Sequence, residues 1–339
     1  MKLAIFSRKG SFSDNWIDYC RSKNIPFVEL SPYDSNVMTK IADCDAVMWH
    51  HHHNNEKDRA VAKQLLFAIE QSGKSVFPDF NSNWHFDDKI GQKYLLEGID
   101  APLVSSYVFY DKREALQWAA STSYPMVFKL RGGAGSSNVK LVNSYQEAVK
   151  LIKRCFGRGF KELEFWESLN YQWKKYLSGR ITLRNMMNFT IVTSCRYLLK
   201  VNNREQGYAY FQEFMPGNLF DVRIIVIKDK AFAIKRMCRD NDFRASGSGK
   251  TIYEKTEINE SLVALSFKVA KKLKSQCVGF DWVMDNHGNP KIVEIGYGFT
   301  AKVYYSCPGY WTSDLEWHEG KGFDFCGWMV ESVIENIKK

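Results

Sequence analysis

Two short apolar runs, residues 277–284 and 291–295, flank Asp285-Asn286-His287-Gly288-Asn289-Pro290. Turn residues between apolar runs mark a β-hairpin. If Met284 pairs with Lys291, Asp281 falls opposite Glu294 on one face, with Cβ atoms about 4.5–5.5 Å apart. Two carboxylates so placed repel unless a cation sits between them. Hard oxygen ligands at that spacing suit Mg²⁺ carrying nucleotide phosphates. A register one residue different separates the two acids.

Three further stretches carry chemistry. Lys129-Leu130-Arg131-Gly132-Gly133-Ala134-Gly135-Ser136-Ser137 follows the apolar residues 125–128. Glycines let a backbone approach phosphates and aim N–H groups at them, while a lysine supplies charge. The spacing is neither a P-loop nor a dinucleotide fingerprint, and a plain glycine-rich hairpin loop explains it too. Next, Phe211-Gln212-Glu213-Phe214-Met215-Pro216-Gly217 precedes Asp221-Val222-Arg223. Backbone amides between Glu213 and Met215 suit an adenine edge, with Phe214 against the ring and Asp221 on a ribose hydroxyl. An ordinary interdomain turn fits the same residues. Last, Lys235-Arg236 and the loop 242–250, with Arg244, bring cations whose planar forks match carboxylate or phosphate. Solvated loop charge is the competing account.

Alternating elements must position these groups. Residues 2–6, 26–30 and 45–49 read as strands, residues 15–23 and 56–72 as helices, and 75–78 closes the unit. Strands alternating with helices imply a parallel sheet with its ligand edge at the strand carboxyl ends. His50-His51-His52-His53 follows one such strand. It reads as an exposed loop of uncharged imidazoles or as the wall of a substrate site. From residue 84 on, 88–96 and 144–154 are helical, and 101–110 and 125–130 are strands. Residues 161–206 are aromatic and basic without a clean period, an insertion with helical pieces around 166–176. Residues 222–227 and 231–237 form a second hairpin, and 260–274 an amphipathic helix. The aromatic segments 304–311 and 317–321 read as core, or as a pocket that stacks on a sugar or base.

The 339 residues are 45% hydrophobic and 25% charged, enough for two or three domains. The formal charge is +9, yet no block of five Lys or Arg occurs, so the balance points to an anionic small molecule and not to nucleic acid. No C-x-x-C pair is present among the eight cysteines, which reads as free thiols in a reducing compartment. Cys238 beside Arg236 is either a core thiol or one of lowered pKa. No apolar run approaches a membrane span or a secretory leader, so the expected location is the cytoplasm.

The order of these features resembles the ATP-grasp superfamily, and most of all its RimK-type carboxylate–amine ligases. The run is Asp88-Lys89, Lys129 with its glycine loop, Gln212-Glu213-Phe214, Asp221, Arg236, Phe243-Arg244, Asp281 and Glu294. The resemblance spans about residues 84–300. It implies an α/β (α+β) chain of ATP-grasp fold with a parallel-sheet pre-ATP-grasp domain over 1–84. The ATP-grasp subdomains would then be 85–211 and 212–339. It further implies that Lys89 and Lys129 contact phosphates and that Gly132, Gly133, Gly135, Ser136 and Ser137 belong to a mobile loop over ATP. Glu213 and Phe214 fall at the adenine hinge and Asp221 at the ribose. Arg236 and Arg244 lie around the γ-phosphate and the acyl phosphate, and Asp281 and Glu294 hold Mg²⁺. The family usually has Asn two residues after that glutamate. Here the residue is Gly296, which puts a second metal ion in question.

Such a ligase uses ATP to phosphorylate a small-molecule carboxylate, and an amine displaces the phosphate to give an amide, ADP and phosphate. The C-terminal aromatics are also similar to those of ATP-grasp proteins encoded with bacterial surface-polysaccharide enzymes. A kinase acting on a hydroxyl, or a non-catalytic ATP-binding protein, would carry the same nucleotide motifs.

Overall fold

A computed structural model describes residues 1–132, 138–161, 173, 176, 182–198, 204–239, 242–245 and 247–338. The chain divides into two compact units, residues 1–104 with 215–339, and residues 105–214. The sequence reading sets its boundaries at 84/85 and 211/212. The helical pieces expected around 166–176 lie outside the described residues, apart from helical positions 173 and 176.

The first unit begins with four parallel strands, β1 (Leu3–Phe6), β2 (Phe27–Leu30), β3 (Ala46–Trp49) and β4 (Ser75–Phe77), in the order β2-β1-β3-β4. All four residues of β1 are buried. Leu3 and Ile5 enter one apolar cluster and Ala4 and Phe6 another, as a strand covered on both faces requires. Helix α1 (Phe12–Ser22) starts at Ser11, whose hydroxyl accepts from the Ser13 amide, and buries Phe12, Trp16 and Cys20 at i, i+4, i+8.

The second unit contains the strands β5 (Ser106–Phe109), β6 (Met126–Lys129) and β7 (Val139–Val142), a short pair β8 (Phe160–Lys161) with β9 (Arg204–Glu205), and β10 (Ala209–Glu213). Its main sheet has the order β5-β10-β6-β7, with helices Lys112–Ser121 and Tyr145–Cys155 burying Ala115, Ala119, Ala148 and Ile152 in its core. Helix Leu183–Leu198 lies beyond the segment where helical pieces were expected.

The rest of the first unit is an antiparallel sheet. It comprises β11 (Phe220–Ile227), β12 (Lys230–Met237), β13 (Thr251–Ile252), β14 (Cys277–Met284), β15 (Pro290–Gly296), β16 (Gly309–Thr312) and β17 (Trp317–Glu319). The order is β15-β14-β11-β12-β16-β17, with β13 on β12. One core joins this sheet to the first. Leu3, Ile5 and Trp16 pack with Ile225, Ile227, Phe232 and Ile234, and with Phe325, Met329 and Val333 of the C-terminal helix Phe325–Ile337. Residues 1–84 therefore share their apolar interior with the end of the chain. The other face of the large sheet packs on helix Glu260–Leu273 through Leu262, Val269 and Leu273.

Of the C-terminal aromatics, Tyr304 and Trp311 are buried and Trp311 packs against Trp317, while Tyr305 is exposed. Cys20, Cys44, Cys155, Cys238, Cys277, Cys307 and Cys326 are free thiols. Burial, with Asp221 and Asp242 nearby, raises Cys238 above the ordinary thiol value, which removes the lowered-pKa alternative. No helix among the described residues is long and apolar enough to cross a membrane.

Candidate functional site

Strand alternation builds a row of candidate residues on the large sheet. Along β11, Val222, Ile224 and Val226 enter the cluster beneath helix Glu260–Leu273, while Asp221 and Arg223 project to the opposite face. Asp221 pairs with Arg236 across β12, and Arg223 with Asp281 across β14. Opposite charges thus fall on directly facing positions. The Arg236 guanidinium grips Asp221 through two bonds, Nε to Oδ1 at 2.7 Å and Nη2 to Oδ2 at 2.6 Å. The same Nη2 lies 2.9 Å from Asp281, and Arg223 lies 3.4 Å from it. Burial opposes the charge on Arg236, yet Asp281 and Asp221 hold it well above its ordinary value.

Asp281 and Glu294 do face each other, by a different register from the one expected. Met284 pairs with Pro290 and Val283 with Lys291, one step away from the Met284–Lys291 pairing. The pairing then shifts between Asp281 and Trp282, so that Asp281 meets Glu294. Val293 is the extra residue. Its presence explains why Ile292 and Ile295, three apart, share one apolar cluster, which a regular strand forbids. A bulge therefore restores the acid pair that an unbroken register from Met284–Pro290 would have split.

Helix Lys89–Gly98 supplies the remaining cation. Asp88 caps it by accepting from the Gly91 amide, and the Gln92 side chain accepts from the Ile295 amide at 3.2 Å. Those contacts set Lys89, 5% exposed, at its first position, with Nζ 3.5 Å from Glu294. Arg244 stands apart from this row, clasped by Asp242 through Nε and Nη2 at 2.6–2.9 Å.

The second unit carries the other candidates. Lys129, at the end of β6, is buried and donates to Gln212 Oε1 at 2.5 Å, while Gln212 donates to Ser106 at 3.0 Å. Glu213 accepts from the Tyr107 hydroxyl at 3.1 Å, and its own amide donates to the Ser105 carbonyl. That amide is thus already used, so an adenine edge would have to meet other backbone groups of the hinge. The Gly132 carbonyl accepts from Asn138, and Gly133, Gly135, Ser136 and Ser137 lie outside the described residues.

The four histidines are not an exposed loop. His50 and His51 are buried, and His51 lies 2.6 Å from the Asn83 side-chain oxygen. Burial pushes His51, His52 and His53 down to about 4 and holds His50 well below its ordinary value, so all four rings are neutral at pH 7. Arg223 and Gln212 were absent from the sequence-based set. Arg223 had a signal, its i+2 spacing from Asp221, and Gln212 stood in the run Gln212-Glu213-Phe214 without a role assigned to it.

Asp281 and Glu294 place hard carboxylate oxygens, the donor type Mg²⁺ takes, on one face, and among the described residues no group of three or more His, Cys, Asp or Glu gathers there. The next same-face position offers no third donor. Gly296 has no side chain, and Phe86 ring carbons lie 3.5 and 3.8 Å from where its Cβ would stand. Its φ is not in the left-handed range, so the backbone does not demand glycine there.

Residues 201–302, which hold Asp221, Arg223, Arg236, Arg244, Asp281 and Glu294, match the family model of the RimK-like ATP-grasp domain. Alpha-aminoadipate–LysW ligase LysX of Saccharolobus solfataricus is 22% identical over 204 residues, 53% of this chain and 74% of that protein. A probable alpha-L-glutamate ligase of Legionella pneumophila is 27% identical over 214 residues, 61% of this chain and 54% of that protein, so only about half of that relative is spanned. Among solved structures, a RimK domain ATP-grasp protein of Sphaerobacter thermophilus superposes with a TM-score of 0.58 at 16% identity, covering 98% of this chain and all of that one. D-alanine–D-alanine ligase of Bacillus anthracis gives 0.56 at 13% identity, covering 100% and 97%. The fold is that of the ATP-grasp proteins. Residues 201–302 thus resemble a RimK-like ATP-grasp domain, and the curated relatives the chain matches are ligases by name.

Proposed function

We propose that the chain joins a small-molecule carboxylate to an amine in the cytoplasm, through an acyl phosphate, with release of ADP and phosphate. The observation that carries this reading is the charged row on the large sheet: Arg223, Arg236 and Lys89 interleaved with Asp221, Asp281 and Glu294 on one face. Phosphoryl transfer needs positioned positive charge more than covalent chemistry. Lys89, Arg236 and Arg223 meet the charge that moves off the terminal phosphate, and their carboxylate partners hold them in place beforehand. Lys129 and the glycine-rich segment 132–137 act on the nucleotide phosphates, Glu213 and Phe214 on the adenine, and Asp221 on the ribose once Arg236 yields it. Arg244, oriented by Asp242, binds the carboxylate or its acyl phosphate. Asp281 and Glu294 would hold one Mg²⁺, which supplies further neutralisation of the phosphate oxygens.

The test is trapping. With ATP, hydroxylamine and a panel of amino acids and sugar acids, the correct carboxylate yields a hydroxamate and ADP. AMP with pyrophosphate, or a phosphorylated alcohol with no hydroxamate, overturns the ligase assignment. Lys129→Ala should weaken ATP binding about tenfold or more in a folded protein. Arg244→Ala should abolish trapping while ATP binding stays near wild type.

A further inference from the structure

From residue 170 to residue 204 the sequence has seven Lys or Arg and no Asp or Glu. A stretch of about a tenth of the chain thus carries most of its +9 charge. Helix Leu183–Leu198 falls inside it. Leu183, Met187 and Ile191, spaced i, i+4, i+8, stand on one face of that helix and are 49%, 53% and 58% exposed. Arg184, also exposed, lies two turns before Ile191 on the edge of the same face. Met186, Phe189 and Thr190 are half-buried and lie on another side. Trp173 is 51% exposed, with Tyr176 beside it at 5.9 Å between ring centres.

Single exposed apolar side chains need no explanation, but an aliphatic stripe along a helix needs something to cover it. Charge narrows the choice of cover. A second copy of the chain would bring two acid-free basic stretches together, and like charges across an interface oppose association. A nucleic acid would welcome the cations and the aromatic rings, yet it offers stacking faces and no phase for Leu, Met and Ile. An anionic bilayer accepts every group. Aliphatic side chains enter the boundary between headgroups and acyl chains, Trp and Tyr rings sit at headgroup level, and Lys and Arg meet lipid phosphates. The helix has 16 residues, short of the ~20 that cross a bilayer, so it would lie in the surface plane.

We propose that helix Leu183–Leu198 is a peripheral membrane anchor, whose Leu183, Met187 and Ile191 enter the surface of an anionic bilayer with Arg184 on a lipid phosphate. The acid-free charge of residues 170–204 draws the protein to that surface, and Trp173 settles at headgroup level. The inference is independent of the reaction, because none of these residues belongs to the charged row or to the nucleotide candidates.

The test is co-sedimentation of the full chain with vesicles of phosphatidylcholine, alone or with about one third phosphatidylglycerol. At about 0.1 M salt the protein should pellet with the anionic vesicles and not with the neutral ones, and about 0.5 M salt should release it. Met187→Glu combined with Ile191→Glu should weaken vesicle binding about tenfold or more. Arg184→Gln should weaken it about fivefold. Met38→Glu, at a methionine 42% exposed in the first unit, should bind like wild type. Near-ultraviolet circular dichroism verifies each fold, and Ile191→Gln replaces the double variant if that one does not fold. No binding to anionic vesicles, equal binding to neutral ones, or a double variant that binds like wild type overturns the proposal. So does a stripe that serves another partner: a single-stranded oligonucleotide complex or a dimer lost in the double variant while its vesicle binding is unchanged.

Discussion

Two polar clusters of the first unit solve burial in opposite ways. On the large sheet, Arg223 and Arg236 keep their charges, because cross-strand pairing sets them beside the carboxylates of Asp281 and Asp221. At the end of β3, His50, His51 and His53 lose theirs, because the surroundings are Phe12, Phe86 and Tyr297 with Arg8 and Lys89 near at hand. A buried guanidinium cannot shed its proton at neutral pH, so it must be paired. An imidazole can, so it becomes a neutral donor and acceptor. The first cluster suits charge that moves during a reaction.

The largest break in that contrast should come from removing a charge from the row. Arg236→Met leaves Asp221 and Asp281 without their guanidinium and should destabilise the protein by about 3–5 kcal/mol in urea unfolding. Adding Asp221→Leu to that variant should recover part of the loss. A single variant as stable as wild type would show that the row is not electrostatically coupled.

The imidazole cluster should respond to pH instead. Its folded-state values lie below the unfolded value of 6.5, so the unfolded chain binds more protons as pH falls. The stability is whole above pH 6.5 and is lost on the way down to about 4. His51, 4% exposed, accounts for roughly 2 kcal/mol of loss by pH 5. Urea midpoints at pH 7 and pH 5 measure it, and His51→Gln should flatten the dependence.

Smaller effects separate the two glycines beside Phe86. Gly298→Ala sets a methyl 3.0 Å from ring carbons and should cost about 1–2 kcal/mol. Gly296→Ala meets the ring at 3.5 Å and should change stability by less than about 0.5 kcal/mol. Equal costs would mean that Phe86 does not discriminate between them.

Much of the row is written locally. Asp221, Arg223 and Arg236 lie on strands whose alternation and tight Lys228-Asp229-Lys230 turn are plain in the sequence. The hairpin at 277–295 was legible as a hairpin, but its register was not. The six-residue turn allows several pairings, and Val293 leaves no compositional mark that it is a bulge. The shared interior of residues 1–84 and the C-terminal helix was likewise unreadable. Periodicity shows that an element has an apolar face, and not which distant face will cover it.

The sequence by itself determined the element types, the alternation that sends Asp221 and Arg223 to one face, and the inventory of cations and acids, because these depend on neighbours a few residues apart. Tertiary structure alone decided three things: that Asp281 meets Glu294, that Phe86 stands over Gly296 and Gly298, and that the Phe12 amide donates to His50 Nδ1. Each depends on groups brought together from different elements. Their positions follow from which faces exclude water together, a property of the packed chain and of no single segment.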